Sequence, residues 1–470
     1  MPEYSFFHRV ASAAFSNPFS VESDELDTEL AGVASDGRHP TMLRSLAAIE
    51  IRLRDLSTPL SEVPLESRQA VELTHVYAVF HRFIPAFDVL IRAELEGKQG
   101  NVAFAEDVLQ ELVEAGFTEA RSERLLGMMW QLRRAFALVE RAMTGRSDSM
   151  RAVRVRLWQN IFTHDISLYE RALWEKMEDF SVFLLGETGT GKGAAATALG
   201  GSGWIGWDHR KRGFELAHTE LFLPLNLSQF PEGLVESELF GHQKGAFTGA
   251  LASHPGIFER SRDHGAIFLD EIGEVSVPIQ IKLLRVLQER LFSPVGSHED
   301  RRFSGRVIAA TNVPLESLTG PTRLREDFFY RLSSDVIELP PLRQRIQEDP
   351  SELAALVQVL LTRVVGVNSN TSELLERVLD KLPRDHRWPG NVRELEQAIR
   401  RILVRGFYQP PHSTSAEEGD VLRRMRDGSI SAAELLRSYC HGLYDELGTF
   451  EAVARKTGLD RRTVKKHLSF

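Results

Sequence analysis

Apolar positions recur at helical spacing through the first third of the chain. Leu46, Ile49 and Leu53 share one helical face, as do Val76, Phe80 and Phe83, and then Leu125, Met129, Leu132, Phe136 and Val139. This stretch reads as a helical domain. From Ser181 the pattern changes: SVFLL is a short, uninterrupted apolar run, read as a buried parallel strand, followed by a glycine-rich turn and then a helix, AAATAL. Two further apolar runs, AIFL at 266–269 and RVIAA at 306–310, predict two more strands with helical segments between them. Such alternation predicts an α/β sheet of the doubly wound type. After Pro340 and Pro341 no strand pattern recurs, and 353–365 and 391–404 read as helices. The polar stretch QPPHSTSAEEGD at 409–420 reads as a linker, and a short helical module closes the chain.

Composition narrows the class. A chain of 470 residues predicts roughly three domains. Hydrophobic content of 42% and charged content of 26% are those of a soluble globular protein. Cys440 is the one cysteine, so no internal disulfide can form and a reducing compartment is expected. The N-terminal MPEYSFFHRVASAAF lacks the layout of a signal peptide, and no apolar run reaches the roughly 18 residues of a membrane span. A cytoplasmic protein with no membrane partner is the expectation. The net charge of −9 argues against nucleic acid along the whole surface but leaves room for a local basic element.

Three segments carry chemistry. GETGTGKG, comprising Gly186, Glu187, Thr188, Gly189, Thr190, Gly191, Lys192 and Gly193, has phosphate-loop spacing and lies between a strand and a helix. Its glycines let backbone N–H groups wrap phosphate oxygens, and Lys192 supplies charge. Gly193 stands where a Ser or Thr hydroxyl would ordinarily meet Mg²⁺, leaving Asp270 and water as the expected metal ligands. FLDE at 268–271 ends an apolar strand in two carboxylates: Asp270 to hold Mg²⁺ and Glu271 to polarise the attacking water of ATP hydrolysis. The hexapeptide GAFTGA, formed by Gly245, Ala246, Phe247, Thr248, Gly249 and Ala250, has an aromatic and a hydroxyl at the tip of a glycine-flanked loop, which nucleotide chemistry does not require. A plain surface turn is the other reading of it. At the C-terminus, TFEAVARKTGLDRRTVKKHL reads as helix, tight turn at Gly458 and second helix. Phe450, Val453, Ala454, Leu459, Val464 and Leu468 face inward and Asp460 caps the second helix. Arg461, Arg462, Thr463, Lys465 and Lys466 line its outer surface, a basic helix on an acidic protein.

Taken together, GRSDSM, GETGTGKG, ESELFGHQKGAFTGA, GAIFLDEIGEV, IKLLRVLQER, VIAATN, LREDFFYRL, ELPPLRQR and WPGNVREL occur in the order found in the AAA+ module of sigma-54-dependent transcriptional activators, the bacterial enhancer-binding proteins, which this chain resembles. The resemblance implies that Asn226 restrains Glu271, that Asn312 senses the γ-phosphate, and that Arg325 and Arg331 reach a neighbouring subunit's nucleotide. It implies that Arg393 reports nucleotide state, and that the hexapeptide is the loop that touches sigma-54. The C-terminal pair of helices resembles a Fis-like helix-turn-helix, with Arg461, Arg462 and Thr463 at base edges and Lys465 and Lys466 able to meet phosphates. Between Lys192 and Asn226 the chain is longer than the resemblance predicts by about a dozen residues, an insertion expected to form a surface loop.

The resulting expectation is a multidomain chain. A helical regulatory domain spans 1–143, an α/β AAA+ core 144–341, a helical lid 342–408, a linker 409–430 and a helix-turn-helix 431–470. The expected function is ATP-dependent transcriptional activation: a homo-oligomeric ring, expected to be a hexamer, docks on upstream double-stranded DNA and remodels closed complexes of the sigma-54 RNA polymerase holoenzyme. The alternatives are a DNA-binding regulator acting by occupancy and an AAA+ unfoldase without DNA specificity.

Overall fold

The structure is a computed structural model that describes residues 4–14, 16–31, 38–56, 58–98, 100–318, 324–366, 371–383, 386–410, 424–447 and 449–468. The chain divides into two compact units, one of residues 1–379 with 384–397 and one of 380–383 with 398–470. The central part of the expected linker, 411–423, lies outside the described residues.

The larger unit is built on five parallel strands: β1 (Val182–Leu185), β2 (Phe222–Asn226), β3 (Ala266–Asp270), β4 (Arg306–Thr311) and β5 (Asp335–Glu338), in the spatial order β2-β3-β4-β1-β5. Alternate residues of the interior strands supply two cores. Val182, Leu184, Phe268, Ile308 and Ala310 pack with the helices Asp148–Phe162 and Lys192–Gly200. Phe183, Leu185, Ile267, Leu269, Val307 and Ala309 pack with Glu232–Phe240, Val277–Glu289 and Glu326–Leu332. A strand covered on both faces has no polar side to show, which is why these three read as plain apolar runs. The expected α/β sheet with helices on both faces is therefore present. The two strands missing from the sequence reading, β2 and β5, are the sheet edges. FLPLN carries Pro224 and DVIE carries two acids, residues tolerated where one side of the strand lacks a hydrogen-bonding neighbour.

The N-terminal helices are Ser5–Ala14, Val21–Ala31, Arg38–Leu56, Leu65–Leu95, Phe104–Glu114 and Glu119–Ala142. They share their core with one layer of the five-stranded sheet. Met128, Ala135, Leu138 and Val139 of the last helix pack with Ala195, Ala196 and Leu199 of the helix that follows the glycine-rich turn.

The insertion after Lys192 corrects the expectation of a surface loop. Trp207–Asp208 pairs antiparallel with Gly213–Phe214, leaving Arg210, Lys211 and Arg212 at the exposed tip, but Ile205 and Trp207 are buried among N-terminal residues that include Phe87, Leu126 and Trp130. The Trp130 ring stacks on Phe214 at 5.2 Å. Trp204, Ile205 and Trp207 at the start of this short insertion carry too much apolar area to stay in water, so it docks on the helices that can cover it. Polar groups fix the root of the hairpin. Arg134, fully buried, donates from Nε to the Gly201 carbonyl at 2.9 Å and from Nη2 to the Gly203 carbonyl, with its guanidinium 5.0 Å from the Trp130 ring centre. Burial pulls the Arg134 pKa down to about 9, which leaves it charged at neutral pH. Gln131 donates to the Ser202 carbonyl at 2.9 Å and to the Tyr169 hydroxyl at 2.8 Å.

The smaller unit holds the helices Ala432–Leu447, Phe450–Thr457 and Arg461–Leu468 around Cys440, Leu443, Val453, Val464 and Leu468. Among the described residues, no helix is long and apolar enough to cross a membrane.

Replacing Arg134 by Met should strand the buried Gly201 and Gly203 carbonyls and cost about 2–4 kcal/mol. Urea unfolding followed by tryptophan fluorescence checks this; a loss below about 0.5 kcal/mol, the range of ordinary surface changes, would contradict it.

Candidate functional site

The residues singled out by the glycine-rich motif begin where β1 ends. Gly186, Gly189 and Gly191 have φ of 150°, 83° and 106°, so the chain wraps back on itself before entering the Lys192–Gly200 helix. At Gly189 a Cβ would lie 2.3 Å from the Gly390 carbonyl oxygen, so glycine is required for the segment around Gly390 to lie on the loop. Lys192 is buried and donates from Nζ to the carbonyls of Gly186 at 2.6 Å and Glu187 at 3.2 Å. Burial lowers its pKa, and Glu271 and Asp270 oppose that shift, which puts the ammonium in the field of both carboxylates. Arg393 acts on Lys192 in the opposite sense to the carboxylates, which brings the expected lid arginine electrostatically within reach of the loop. Around Gly193 a Cβ would meet nothing within 4 Å, so packing does not exclude a larger side chain there.

Asp270 and Glu271 close β3. The Asp270 carboxylate accepts from the Glu271 N–H at 3.1 Å, and Glu271 has φ +57°, a left-handed conformation costing a non-glycine residue about 1–2 kcal/mol. Such strain persists where surrounding structure imposes it, commonly at functional sites. Burial raises the Glu271 pKa, the neighbouring Asp270 charge raises it further, and Lys192 with the Asn312 backbone N–H draws it partly back. Asn312 follows β4 and donates from Nδ2 to the Thr188 hydroxyl at 3.3 Å, joining the expected sensor to the phosphate loop. Asn226 ends β2 directly opposite Asp270, yet its Oδ1 accepts from the Ser228 N–H and hydroxyl at 3.0 and 2.7 Å. The expected restraint on Glu271 is thus not among the bonds of Asn226 here; its carbonyl oxygen holds the turn after β2 instead.

The two arginines expected to act on a neighbour have local partners. Arg325 forks onto the Asp327 carboxylate at 3.0 and 2.8 Å, and Arg331 donates to the Leu287 carbonyl at 3.0 and 2.9 Å. Both are exposed.

Sequence reasoning missed Asn391. It is fully buried with φ +52°, a conformation asparagine accepts better than most residues. Its Nδ2 donates to the Glu187 carboxylate and the Thr188 carbonyl, each at 3.1 Å, and its Oδ1 accepts from the Leu342 N–H at 2.7 Å. Arg343 forks onto the same Glu187 carboxylate at 2.8 and 2.5 Å, and that pairing chiefly holds Glu187 below the usual carboxylate range, with Asn391 adding to it. The Glu187 side chain is therefore occupied in clamping the loop; only its backbone is offered to a phosphate. The available signal was the WPGN turn itself, a Pro-Gly pair before an Asn.

The hexapeptide loop follows the Glu232–Phe240 helix. It closes on itself through Gly245 N–H to the Ala250 carbonyl at 2.9 Å and Ala250 N–H to the Phe247 carbonyl at 3.0 Å. Gly245 and Gly249 take φ +84° and +102°, so here the glycines do set the turn. Ala246 is half-buried and Ala250 buried, while Phe247 and Thr248 stand exposed, the Phe247 ring 4.9 Å from His242. In the smaller unit Gly458 turns at φ +71°, Asp460 accepts from the Arg462 N–H at 2.8 Å, and Arg461, Arg462, Lys465 and Lys466 are exposed with Thr463 half-buried.

The phosphate loop and the charge of Lys192 in the field of Asp270 and Glu271 fit a nucleoside triphosphate with Mg²⁺. Magnesium takes one or two protein carboxylates and completes its shell from phosphates and water, so one aspartate with no hydroxyl at Gly193 is a sufficient protein donor set. Replacing Asn391 by Ala should remove the bonds to Glu187, Thr188 and Leu342 and leave alanine in a left-handed conformation. The expected loss is about 2–4 kcal/mol of stability, with at least tenfold weaker nucleotide binding. Calorimetric unfolding and titration with ATP check both; unchanged affinity would show that the clamp does not shape the loop.

Residues 164–338 match the family described as Sigma-54 interaction domain. The chain is similar to a Nif-specific regulatory protein of Azotobacter vinelandii, 45% identical over 48% of this chain and 40% of that one. It is also similar to the DNA-binding transcriptional regulator NtrC of Azospirillum brasilense, 41% identical over 48% and 43%. A third relative is the sigma54-dependent transcriptional activator SfnR of Pseudomonas putida, 42% identical over 48% and 57%. The matched region thus spans between 40% and 57% of the length of these relatives. In its central segment, therefore, this chain carries the sigma-54 interaction domain of the sigma-54-dependent AAA+ activators.

Proposed function

We propose that this chain is an ATP-dependent transcriptional activator that binds upstream DNA and remodels closed complexes of sigma-54 RNA polymerase through the 245–250 loop. The observation that carries the reading is the pairing of an exposed Phe247–Thr248 tip with a Lys192, Asp270 and Glu271 constellation in one domain. A protein acting by occupancy alone has no use for either.

Each residue then has a task. The loop N–H groups and Lys192 hold the β- and γ-phosphates, and Asp270 would hold Mg²⁺, which supplies charge neutralisation on the phosphate oxygens. Glu271 takes the proton of the attacking water. Asn312, bonded to Thr188, lies where loss of the γ-phosphate would be felt. Asn226 links that event to the output loop. It stands beside Asp270, and the chain runs from it through Ser228 and the Glu232–Phe240 helix into the hexapeptide, where Ser237 and His242 are bonded at 2.7 Å. A change of partner at Asn226 would move the root of that lever. Arg325 and Arg331, released from Asp327 and Leu287, would reach the nucleotide of the next protomer in a ring. Arg461, Arg462 and Thr463 would read bases in the major groove, with Lys465 and Lys466 on phosphates.

Thr248→Ala should retain ATP hydrolysis and footprinting on its DNA site while losing sigma-54-dependent transcription; activation that survives would favour action by occupancy. Glu271→Gln should bind ATP and hydrolyse it roughly 10²–10⁴-fold more slowly. Because the Glu271 pKa is raised, its carboxylate takes up a proton at higher pH than an exposed glutamate would. As pH falls, kcat/KM for ATP should therefore decline along an acid limb lying above the usual glutamate range. A limb at the ordinary value would take the base role away from Glu271.

A further inference from the structure

The hexapeptide loop presents its apolar groups unevenly. Its two alanines face the domain: Ala250 is buried, and a Cβ added at Gly296 would lie 2.8 Å from the Ala246 methyl carbon. Phe247 is turned partly back as well. Its ring meets His242 edge-on at 4.9 Å. His242 is itself fixed, by the 2.7 Å bond between its Nδ1 and the Ser237 hydroxyl and by backbone bonds to His254, one in each direction at 2.9 Å. Held in this way, Phe247 is 38% exposed.

Leu251, the residue directly after the hexapeptide, is 86% exposed, more than any other large apolar side chain among the described residues. The backbone sets its direction. The Ala250 N–H bonds to the Phe247 carbonyl at 3.0 Å and the Leu251 N–H to the Gly249 carbonyl at 2.9 Å, so a buried Ala250 turns the next side chain outward. One exposed leucine is ordinary on a protein surface and by itself calls for no function. This one shares a tight loop with Phe247 and Thr248, and no residue from Gly245 to Ser253 carries a charge, in a chain of which 26% is charged. Depletion of charge around exposed apolar side chains is the mark of an interface centre rather than of free surface.

We propose that Leu251 extends the output surface of the loop, making with Phe247 the apolar contact to sigma-54 polymerase. The occupant is assigned by continuity, because Leu251 adjoins the hexapeptide in the chain and on the same turn. The partner surface it fits is apolar and uncharged: a charge pressed against Leu251 would lose its water with nothing in 245–253 to pair it. In the loop conformation described, Leu251 offers a larger share of its surface than Phe247 does, so it is the first apolar group an approaching partner meets. Release of Phe247 from His242 would add the second. The inference rests on the reading of 245–250 as the output loop.

The test is the affinity of the full-length protein for sigma-54 RNA polymerase holoenzyme, measured by biolayer interferometry with ADP and aluminium fluoride as a mimic of the hydrolysis transition state. Leu251→Ser should weaken the complex by about tenfold or more. Leu251→Met, which keeps an apolar side chain of similar size, should stay within about threefold of the unsubstituted protein. Unchanged affinity in Leu251→Ser, or equal losses in the Ser and Met variants, would overturn the proposal. So would loss of homo-oligomer assembly in analytical ultracentrifugation of Leu251→Ser, which would mean that a second copy of this chain covers the residue. Thr248→Ala, measured alongside, separates this proposal from the reading beneath it. A complex lost in Thr248→Ala and retained in Leu251→Ser faults Leu251 alone. An unsubstituted protein that forms no complex faults the loop reading and carries this proposal with it.

Discussion

Parallel strands all end at the same edge, and the chemistry of this protein depends on that constraint. Because β1, β2, β3 and β4 run the same way in register, Leu185 lies opposite Thr311 and Asn226 opposite Asp270. The residues that follow them, Gly186 to Lys192, Glu271 and Asn312, are delivered to one rim without any of them being close in sequence. Hydrogen bonding along the strands sets the rim, and apolar packing on both faces keeps it rigid enough to hold Glu271 in a strained backbone conformation. Ligands in open α/β sheets gather at this edge for the same reason.

Two attachments tie that rim to the rest of the unit. From one side, Asn391 and Arg343 grip the Glu187 carboxylate, so the segment after the sheet and the phosphate loop share a set of hydrogen bonds. From the other, Arg134 and Gln131 grip the carbonyls at the far end of the phosphate-loop helix. A change in either attachment has a direct mechanical path to Lys192. The N-terminal helices are consequently part of the core built on the parallel sheet rather than an appended module. Excising residues 1–143 would uncover the apolar faces of Ala195, Leu199, Ile205 and Trp207. Regulation by these helices is better probed by single substitutions inside them than by deletion.

Much of this was legible in the sequence. The interior strands and the glycine-rich loop announced themselves because a doubly covered strand must be apolar and a phosphate loop must be glycine-rich. The hexapeptide was legible as a turn because its glycines have to adopt positive φ. What escaped was tertiary in origin. The edge strands β2 and β5 escaped because Pro224 interrupts one and Asp335 and Glu338 bracket the other, residues tolerated where one side of a strand is open. Asn391 is one asparagine among several until the chain folds it against Glu187. The Trp207–Phe214 hairpin read as a surface insertion because nothing local says which surface will cover it; the partner, around Trp130, lies far upstream.

The central claim is that hydrolysis at the rim drives movement of the Phe247–Thr248 tip against sigma-54 polymerase. The most direct measurement is promoter opening in a purified system of this chain, sigma-54 holoenzyme and a promoter carrying its upstream site, with ATP compared against a non-hydrolysable analogue. The account predicts permanganate-reactive open complexes with ATP and none with the analogue, although both nucleotides bind. Equal opening with the analogue, or with no nucleotide, would contradict it.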